Sequence, residues 1–296
     1  MNHYGELFDN NLEVIRSAVR YHCGKNGNLG REHIGNRVIL KEQVKIPQTW
    51  AITRSKYSLP VGKWLLINDV HVPFHELKPL EATLQYAKDQ KITGIFMNGD
   101  IWDVASLSFW PGIPRDFDKE CAAFADFLDF IIQEFPDVKI VYKPGNHEYR
   151  LPRYFMSKAQ DLSLSPLAQM ETIMGFDARG IEFLDYFQIV MAGKLPIIHG
   201  NEVSNINKAV NPARGLFLRT KTNALCGHCH TTSQHSERDL MGKLISTWSV
   251  GCQCNLEPEY NPYGNNWCWG FAIIDIDKNG NFEVANHRIL SNGKVV

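Results

Sequence analysis

The chain has 296 residues, of which 44% are hydrophobic and 21% charged, with a net charge of −1 at neutral pH. That length supports one large domain or two small ones around a substantial core, and the composition excludes a disordered chain. A charge so close to zero also excludes a strongly basic surface at whole-chain level, so a nucleic-acid partner would have to be held by a local patch. No apolar run reaches the roughly 18 residues of a membrane span, and Met1 to Asn10 is polar, without the order of a secretory signal. Seven cysteines in a chain this long read as reduced thiols, which implies a cytoplasmic protein (host cytoplasm, if the chain is viral).

Residues 1–60 differ from the remainder. Leu12 to Tyr21 carries apolar residues at helical spacing, Asn26 to Gly35 is a Gly- and Asn-rich turn, and Val38 to Leu40 and Val44 to Ile46 read as short extended pieces. The segment is read as an arm packed on a main domain at 61–296, with a small DNA-touching helical module as the alternative. From Lys63 onward, strand and helix alternate. Trp64 to Ile67 reads as a buried strand, Leu77 to Lys88 as a helix, Gly94 to Met97 as a strand, Glu120 to Phe135 as an amphipathic helix, and Val138 to Tyr142 as a third strand. That order argues for an α/β core with parallel neighbours. An irregular, largely helical insert follows at about 151–183. Further strands are expected at Phe187 to Met191, Leu195 to Ile198, Ala224 to Cys226, Ile245 to Val250 and Phe271 to Ile276. The last two, with the turn at Asp277 to Gly280 and Phe282 to Val284, suggest the antiparallel closure of a second sheet.

Polar clusters stand at the ends of these strands: Asp69-Val70-His71, Gly99-Asp100-Ile101-Trp102-Asp103, Gly145-Asn146-His147-Glu148, His199-Gly200 and Gly227-His228-Cys229-His230. In open α/β sheets the chemistry lies beyond the carboxyl ends of the strands. Carboxylate, amide and imidazole donors in this mixture suit manganese, iron or zinc. Asp69 and His71 lie two residues apart, so in extended backbone both side chains leave one face; His228 and His230 repeat the pattern. Asp100 offers a carboxylate able to bridge two ions, and Asn146 a neutral oxygen that limits the negative charge facing an anionic substrate. The neighbouring Gly99, Gly145, Gly200 and Gly227 permit tight turns.

The clusters occur in the order D-x-H, G-D-x-x-D, G-N-H-E, H and G-H-x-H, and in this the chain resembles the calcineurin-like metallophosphoesterases over roughly Lys63 to Ile276, most closely their compact viral and bacterial members. The resemblance implies an α/β fold, a four-layer αββα sandwich of two mixed sheets flanked by helices. It implies two divalent metal ions, manganese first, with iron, zinc, nickel or magnesium as alternatives. One would be held by Asp69, His71, Asp100 and His230, the other by Asp100, Asn146, His199 and His228. Asn146 and His147 would meet the substrate; His147 would protonate the leaving oxygen, and Asp103 would hold His147 by a hydrogen bond. The activity implied is hydrolysis of a phosphate ester by a metal-activated water. The fourth cluster departs from many relatives in reading His199-Gly200-Asn201 instead of carrying a second His.

The ester itself is not fixed by these motifs. Arg150, Arg153, Lys158, Lys208, Arg214, Arg219 and Lys221 offer basic side chains around the motif loops, which favours a phosphodiester of DNA, RNA or a nucleotide. A phosphomonoesterase or protein Ser/Thr phosphatase, with Arg150 clamping the phosphate, is the first alternative; a non-catalytic metal- or nucleic-acid-binding protein is the second. The oligomeric state is left open. His75 is read as an exposed loop residue instead of a further ligand, and His235 and His287 as surface or structural. Glu148 either meets substrate or forms a helix cap or a salt bridge. Cys226, Cys229, Cys252 and Cys254 are read as buried thiols in preference to a zinc site. Trp267 to Phe271 is read as sheet core or pocket rim in preference to a base-stacking platform.

Overall fold

The computed structural model describes residues 12–23, 46, 48–109, 115–206 and 209–296. The chain divides into two compact units, Met1–Ile52 and Thr53–Val296. In the first, α1 spans Leu12–Cys23, as the apolar spacing predicts. The turn expected at Asn26 to Gly35, the extended pieces beyond it (save Ile46) and the basic Lys208 lie outside the described residues.

In the second unit, β1 (Lys56–Leu59) and β2 (Gly62–Ile67) are followed by α2 (Leu77–Asp89), β3 (Gly94–Asn98), α3 (Phe117–Glu134) and β4 (Lys139–Lys143). The stretch read as an arm thus includes β1. α3 begins where Asp116 accepts hydrogen bonds from the amides of Asp118 and Lys119, a side-chain cap that satisfies otherwise orphaned donors. The insert contains α4 (Arg150–Lys158) and α5 (Met170–Ile173). There follow β5 (Ile181–Phe183), β6 (Ile189–Ala192), β7 (Leu195–Ile198), α6 (Pro212–Thr220), β8 (Ala224–Cys226), β9 (Ser233–Arg238), β10 (Leu244–Ser249), β11 (Gly270–Ile276) and β12 (Phe282–Arg288).

Two six-stranded sheets result, in the orders β12-β11-β2-β3-β4-β5 and β1-β6-β7-β8-β10-β9. Both are mixed. β2, β3 and β4 run parallel, with Leu65 opposite Ile95 and Ile95 opposite Ile140, while β11 and β12 run antiparallel. The hairpin β11–β12 corrects one expectation. It extends the first sheet through β2, with Ala272 opposite Leu66, and β10 belongs to the other sheet beside β8. The reason is that β11 is apolar on both faces. Phe271 and Ile273 pack with the helices, whereas Ala272, Ile274 and Ile276 pack between the sheets. A strand buried on two faces belongs inside a sandwich.

The same alternation sets the layers. Leu65, Ile67, Ile95 and Met97 face Leu80, Leu84, Phe124 and Leu128 of α2 and α3. Trp64, Leu66, Phe96 and Val141 face Val190, Ile197 and Leu225 of the second sheet. Ile198, Ala224 and Cys226 face Leu216 of α6. Helix, sheet, sheet and helix are therefore stacked in four layers, each strand side chain directed by the period of two. Among the described residues, no helix is long and apolar enough to cross a membrane.

Phe96 is fully buried between the sheets. Phe96→Ala is expected to lower unfolding free energy by about 3–5 kcal/mol, read from the urea midpoint at unchanged slope.

Candidate metal centre

The polar strand ends meet where the parallel strands of both sheets finish. β2 delivers Asn68, Asp69 and His71; β3 delivers Asp100 and Asp103; β4 leads to Asn146 and His147; β7 ends at His199; and β8 leads to His228 and His230. The backbone there is not extended. Asp69, His71, Asp100, His228 and His230 have φ of 52°, 54°, 53°, 64° and 54°, in the left-handed region. The extended geometry expected for the D-x-H and H-x-H pairs is thereby corrected: left-handed residues on either side of Val70 and of Cys229, not strand alternation, turn these side chains into one space. Such conformations cost energy in any residue with a Cβ and cluster at functional sites.

The donors converge closely. His230 Nε2 is 3.2 Å from Asp69 Oδ1, His199 Nε2 3.2 Å from Asp100 Oδ2, and His71 Nε2 3.3 Å from His230 Nε2. His71, Asp100 and His147 form one grouping able to hold a metal ion, and Asp100, His199 and His228 another. Asp69 Oδ1, Asn146 Oδ1 and His199 Nε2 are buried without any hydrogen-bond partner. Buried polar atoms are almost always satisfied, so orphans such as Asp69 Oδ1 and His199 Nε2, 4.0 Å apart, fit a cation. The other faces of these groups are tied back. Asp69 Oδ2 accepts from Asn68 Nδ2 at 2.5 Å and from the His228 amide at 2.7 Å. His199 Nδ1 donates to the Asn98 carbonyl at 2.7 Å, and His71 Nδ1 donates to Asp103 Oδ2 at 2.8 Å. Each imidazole thus presents Nε2 inward in a fixed tautomer, the arrangement a metal-binding histidine requires.

Electrostatics follow from this crowding. Burial pushes the Asp69 carboxyl up, but the His230 and His199 imidazoles outweigh it and hold it at about 2. Burial likewise depresses His199, yet Asp100 and Asp69 push it up to about 10. His228, buried beside His199, is pulled down to about 4. The ionised carboxylates thus hold a proton on His199 where a cation would replace it.

Asp103 serves more groups than expected. Besides His71, its Oδ2 lies 3.3 Å from His147 Nδ1, which also faces the Asp103 carbonyl at 3.2 Å. Arg150 Nη1 donates to that carbonyl at 2.9 Å and to Asp103 Oδ1 at 3.0 Å, and Arg150 Nη2 lies 3.3 Å from His147 Nε2. The His147 amide donates to Asp100 Oδ1 at 2.8 Å. Arg153 and Lys158 are exposed on α4, Arg214 and Arg219 on α6, and Lys221 just beyond it.

Several organising residues escape sequence reasoning. Glu148 is fully buried, and its two oxygens accept from the amides of Asp100, Ile101, Trp102 and Gly145 at 2.8–3.0 Å and from Tyr142 Oη at 2.6 Å. It neither reaches outward to substrate nor caps a helix; it gathers the loops after β3 and β4. Glu202 does the same for the loop after β7, accepting from the His199 and Gly200 amides, with fully buried Lys143 2.5 Å away as its counter-charge. The available signal was a polar residue closing an apolar strand, as at Asn68, Asn98 and Lys143. Two glycines are sterically required. A Cβ at Gly99, where φ is +84°, would lie 2.5 Å from His199 Nδ1, and one at Gly145 would lie 2.9 Å from His199 Nε2.

Other expectations resolve as follows. His75 is not an exposed loop residue; it is half-buried, with Nδ1 enclosed and its backbone bridged to Cys254. His235 bonds Glu237 at 2.8 Å, and His287 packs on Tyr86 and Phe271. Cys226, Cys229, Cys252 and Cys254 are buried free thiols, and among the described residues they form no four-sulfur grouping. Phe271 is core, whereas Trp267 is half-buried with its ring 4.1 Å from that of His230.

No family model matches the chain. It is similar to the Gene 54 protein of Mycobacterium phage L5, with 25% identity over 229 residues covering 72% of this chain and 88% of that protein. It is also similar to the solved structure of Yfce, a phosphoesterase from E. coli, with 15% identity, a TM-score of 0.38 and coverage of 79% of this chain and 96% of that one. A dimetal phosphatase from Danio rerio is 12% identical, with a TM-score of 0.36 and coverage of 77% and 96%.

Glu148→Ala would strip the shared acceptor from several buried amides, each costing about 1–3 kcal/mol when unsatisfied. The expected result is a loss of at least about 3 kcal/mol in chemical denaturation, with α/β circular dichroism retained in the folded fraction.

Proposed function

We propose that this chain is a calcineurin-like metallophosphoesterase that hydrolyses phosphodiesters of nucleic acid or nucleotides with two divalent ions. The observation that carries the reading is the pair of buried, unpartnered atoms Asp69 Oδ1 and His199 Nε2, 4.0 Å apart in a space ringed by His71, Asp100 and His230. Asp69, His71, Asp100 and His230 hold one ion in this reading, and Asp100, Asn146, His199 and His228 the other. The oxygen-and-imidazole donor set favours manganese, iron or zinc. When bound, the ions supply Lewis acidity toward phosphate oxygens and acidify the attacking water.

The chain's own residues supply the remainder. His147 carries the proton to the leaving oxygen, and Asp103, within 3.3 Å of its Nδ1 through both carboxylate and carbonyl, orients the ring. Arg150, fastened to Asp103 and beside His147, brings a positive charge to the edge where a phosphate would lie. Asn146 adds a donor-acceptor amide without adding charge. The exposed basic residues of α4 and α6 support a polyanionic substrate, and the phage relative supports a viral setting in the host cytoplasm.

With Mn²⁺ added, bis-p-nitrophenyl phosphate and DNA are expected to be turned over faster than p-nitrophenyl phosphate; the reverse order would make the protein a monoesterase. His147→Ala is expected to reduce turnover by about 10²–10⁴-fold at unchanged ion content by plasma mass spectrometry. Turnover at the native level would remove His147 from its role.

Ion uptake should also release protons. His199, held near 10 in the ion-free chain, is protonated at neutral pH, whereas a ligand imidazole must be neutral. Affinity is therefore expected to rise with pH, and calorimetry in buffers of different ionisation enthalpy should register net proton release on binding; no buffer dependence would contradict the assignment.

A further inference from the structure

We infer that the buried Cys254 thiol is a positioning residue for His230, the outer partner that fixes which ring nitrogen faces the metal space; this rests on the metal-binding reading above. The inward histidines are held from behind by different chemistry. His71 Nδ1 meets a carboxylate, Asp103, and His199 Nδ1 meets a carbonyl, Asn98. His230 Nδ1 meets the sulfur of Cys254 at 3.8 Å, within reach of an N–H···S hydrogen bond. His230 Nε2, at the far side of the ring, points to Asp69 Oδ1 at 3.2 Å.

The sulfur is set in place by its own surroundings. Cys254 is 3% exposed. Its carbonyl accepts from the Trp269 indole at 2.9 Å, and the preceding Gln253 amide donates to the Asp69 carbonyl at 3.0 Å, so the segment that carries the thiol is fastened to the segment that carries the carboxylate. The Gln253 side chain donates to Thr83 and to the Gly270 carbonyl. Trp267 covers the His230 ring from another side, and the Cys268 amide donates to the His230 carbonyl at 2.8 Å. Cys252, fully buried, places a second thiol beside the same imidazole. A ring so enclosed has its orientation fixed by what its Nδ1 meets, here the Cys254 sulfur, and in metal sites loss of such a partner lowers affinity by about 10–100-fold.

The test is Mn²⁺ titration by calorimetry of the native chain, Cys254→Ala, Cys254→Ser, the double variant Cys252→Ala/Cys254→Ala, and Cys121→Ser as a control on a thiol far in sequence from the motifs. Native protein should take up two ions. Cys254→Ala should weaken one of the two steps by about 10–100-fold and leave the other alone, Cys254→Ser should recover part of the loss, and Cys121→Ser should match native protein. A general packing defect would weaken both steps together and would overturn the inference, as would native affinities in both Cys254→Ala and the double variant. If the native chain itself takes up no ions, it is the metal-binding reading that fails. Should the alanine variants not fold, Cys254→Ser alone decides by whether one step is selectively weakened.

Discussion

The site depends on one buried carboxylate that no ion would touch. Glu148 holds the amides at the ends of β3 and β4 together, and through Asp100 and Gly145 it fixes the distance between Asp100 and the loop carrying Asn146 and His147. Burial and the nearby Asp100 both push the Glu148 carboxyl up, and the converging amides and Tyr142 pull it back. Hydrogen bonds to an ionised acceptor are about twice as strong as neutral ones and worth more away from water. Glu202 with Lys143 repeats the device on the opposite sheet. The two sheets thus bring preformed loops to a shared edge, and the donors are aimed by the protein before any cation arrives.

Much of this was legible because the strands end in chemistry. Apolar runs such as Trp64 to Ile67 and Gly94 to Met97 announce buried parallel strands, and the residues following them are the only places in such a fold where polar groups can collect. The alternation of β2, α2, β3, α3 and β4 could therefore be read in order, and Asp69, His71, Asp100, His199, His228 and His230 lie close together beyond the strand ends. Composition could not reveal which sheet β11 joins, because a strand apolar on both faces carries no mark of its neighbours. β9, with its Ser, Gln, His, Glu and Arg, was invisible for the opposite reason: an edge strand paired on one side to β10 has little to bury.

Roles that depend on who faces whom were likewise hidden. Glu148 and Cys254 look like ordinary residues until the fold shows that one meets five donors and the other the Nδ1 of His230. Asp103 was expected to address His147 alone, yet its two oxygens and its carbonyl are divided among His71, His147 and Arg150. A single carboxylate shared by two histidines and an arginine is an arrangement that spacing cannot express.

The left-handed backbone at Asp69, His71, Asp100, His228 and His230 has a bearing on how such a chain can vary. Glycine adopts that conformation freely, and Asn, Asp and His tolerate it better than branched side chains, although Val104 also holds it at a φ of 54°. Short polar residues and glycine are therefore the least costly replacements at those positions. A descendant that abandoned the chemistry would carry Asn or Gly where the donors stood, and its silent history would still be written in the shape of its loops.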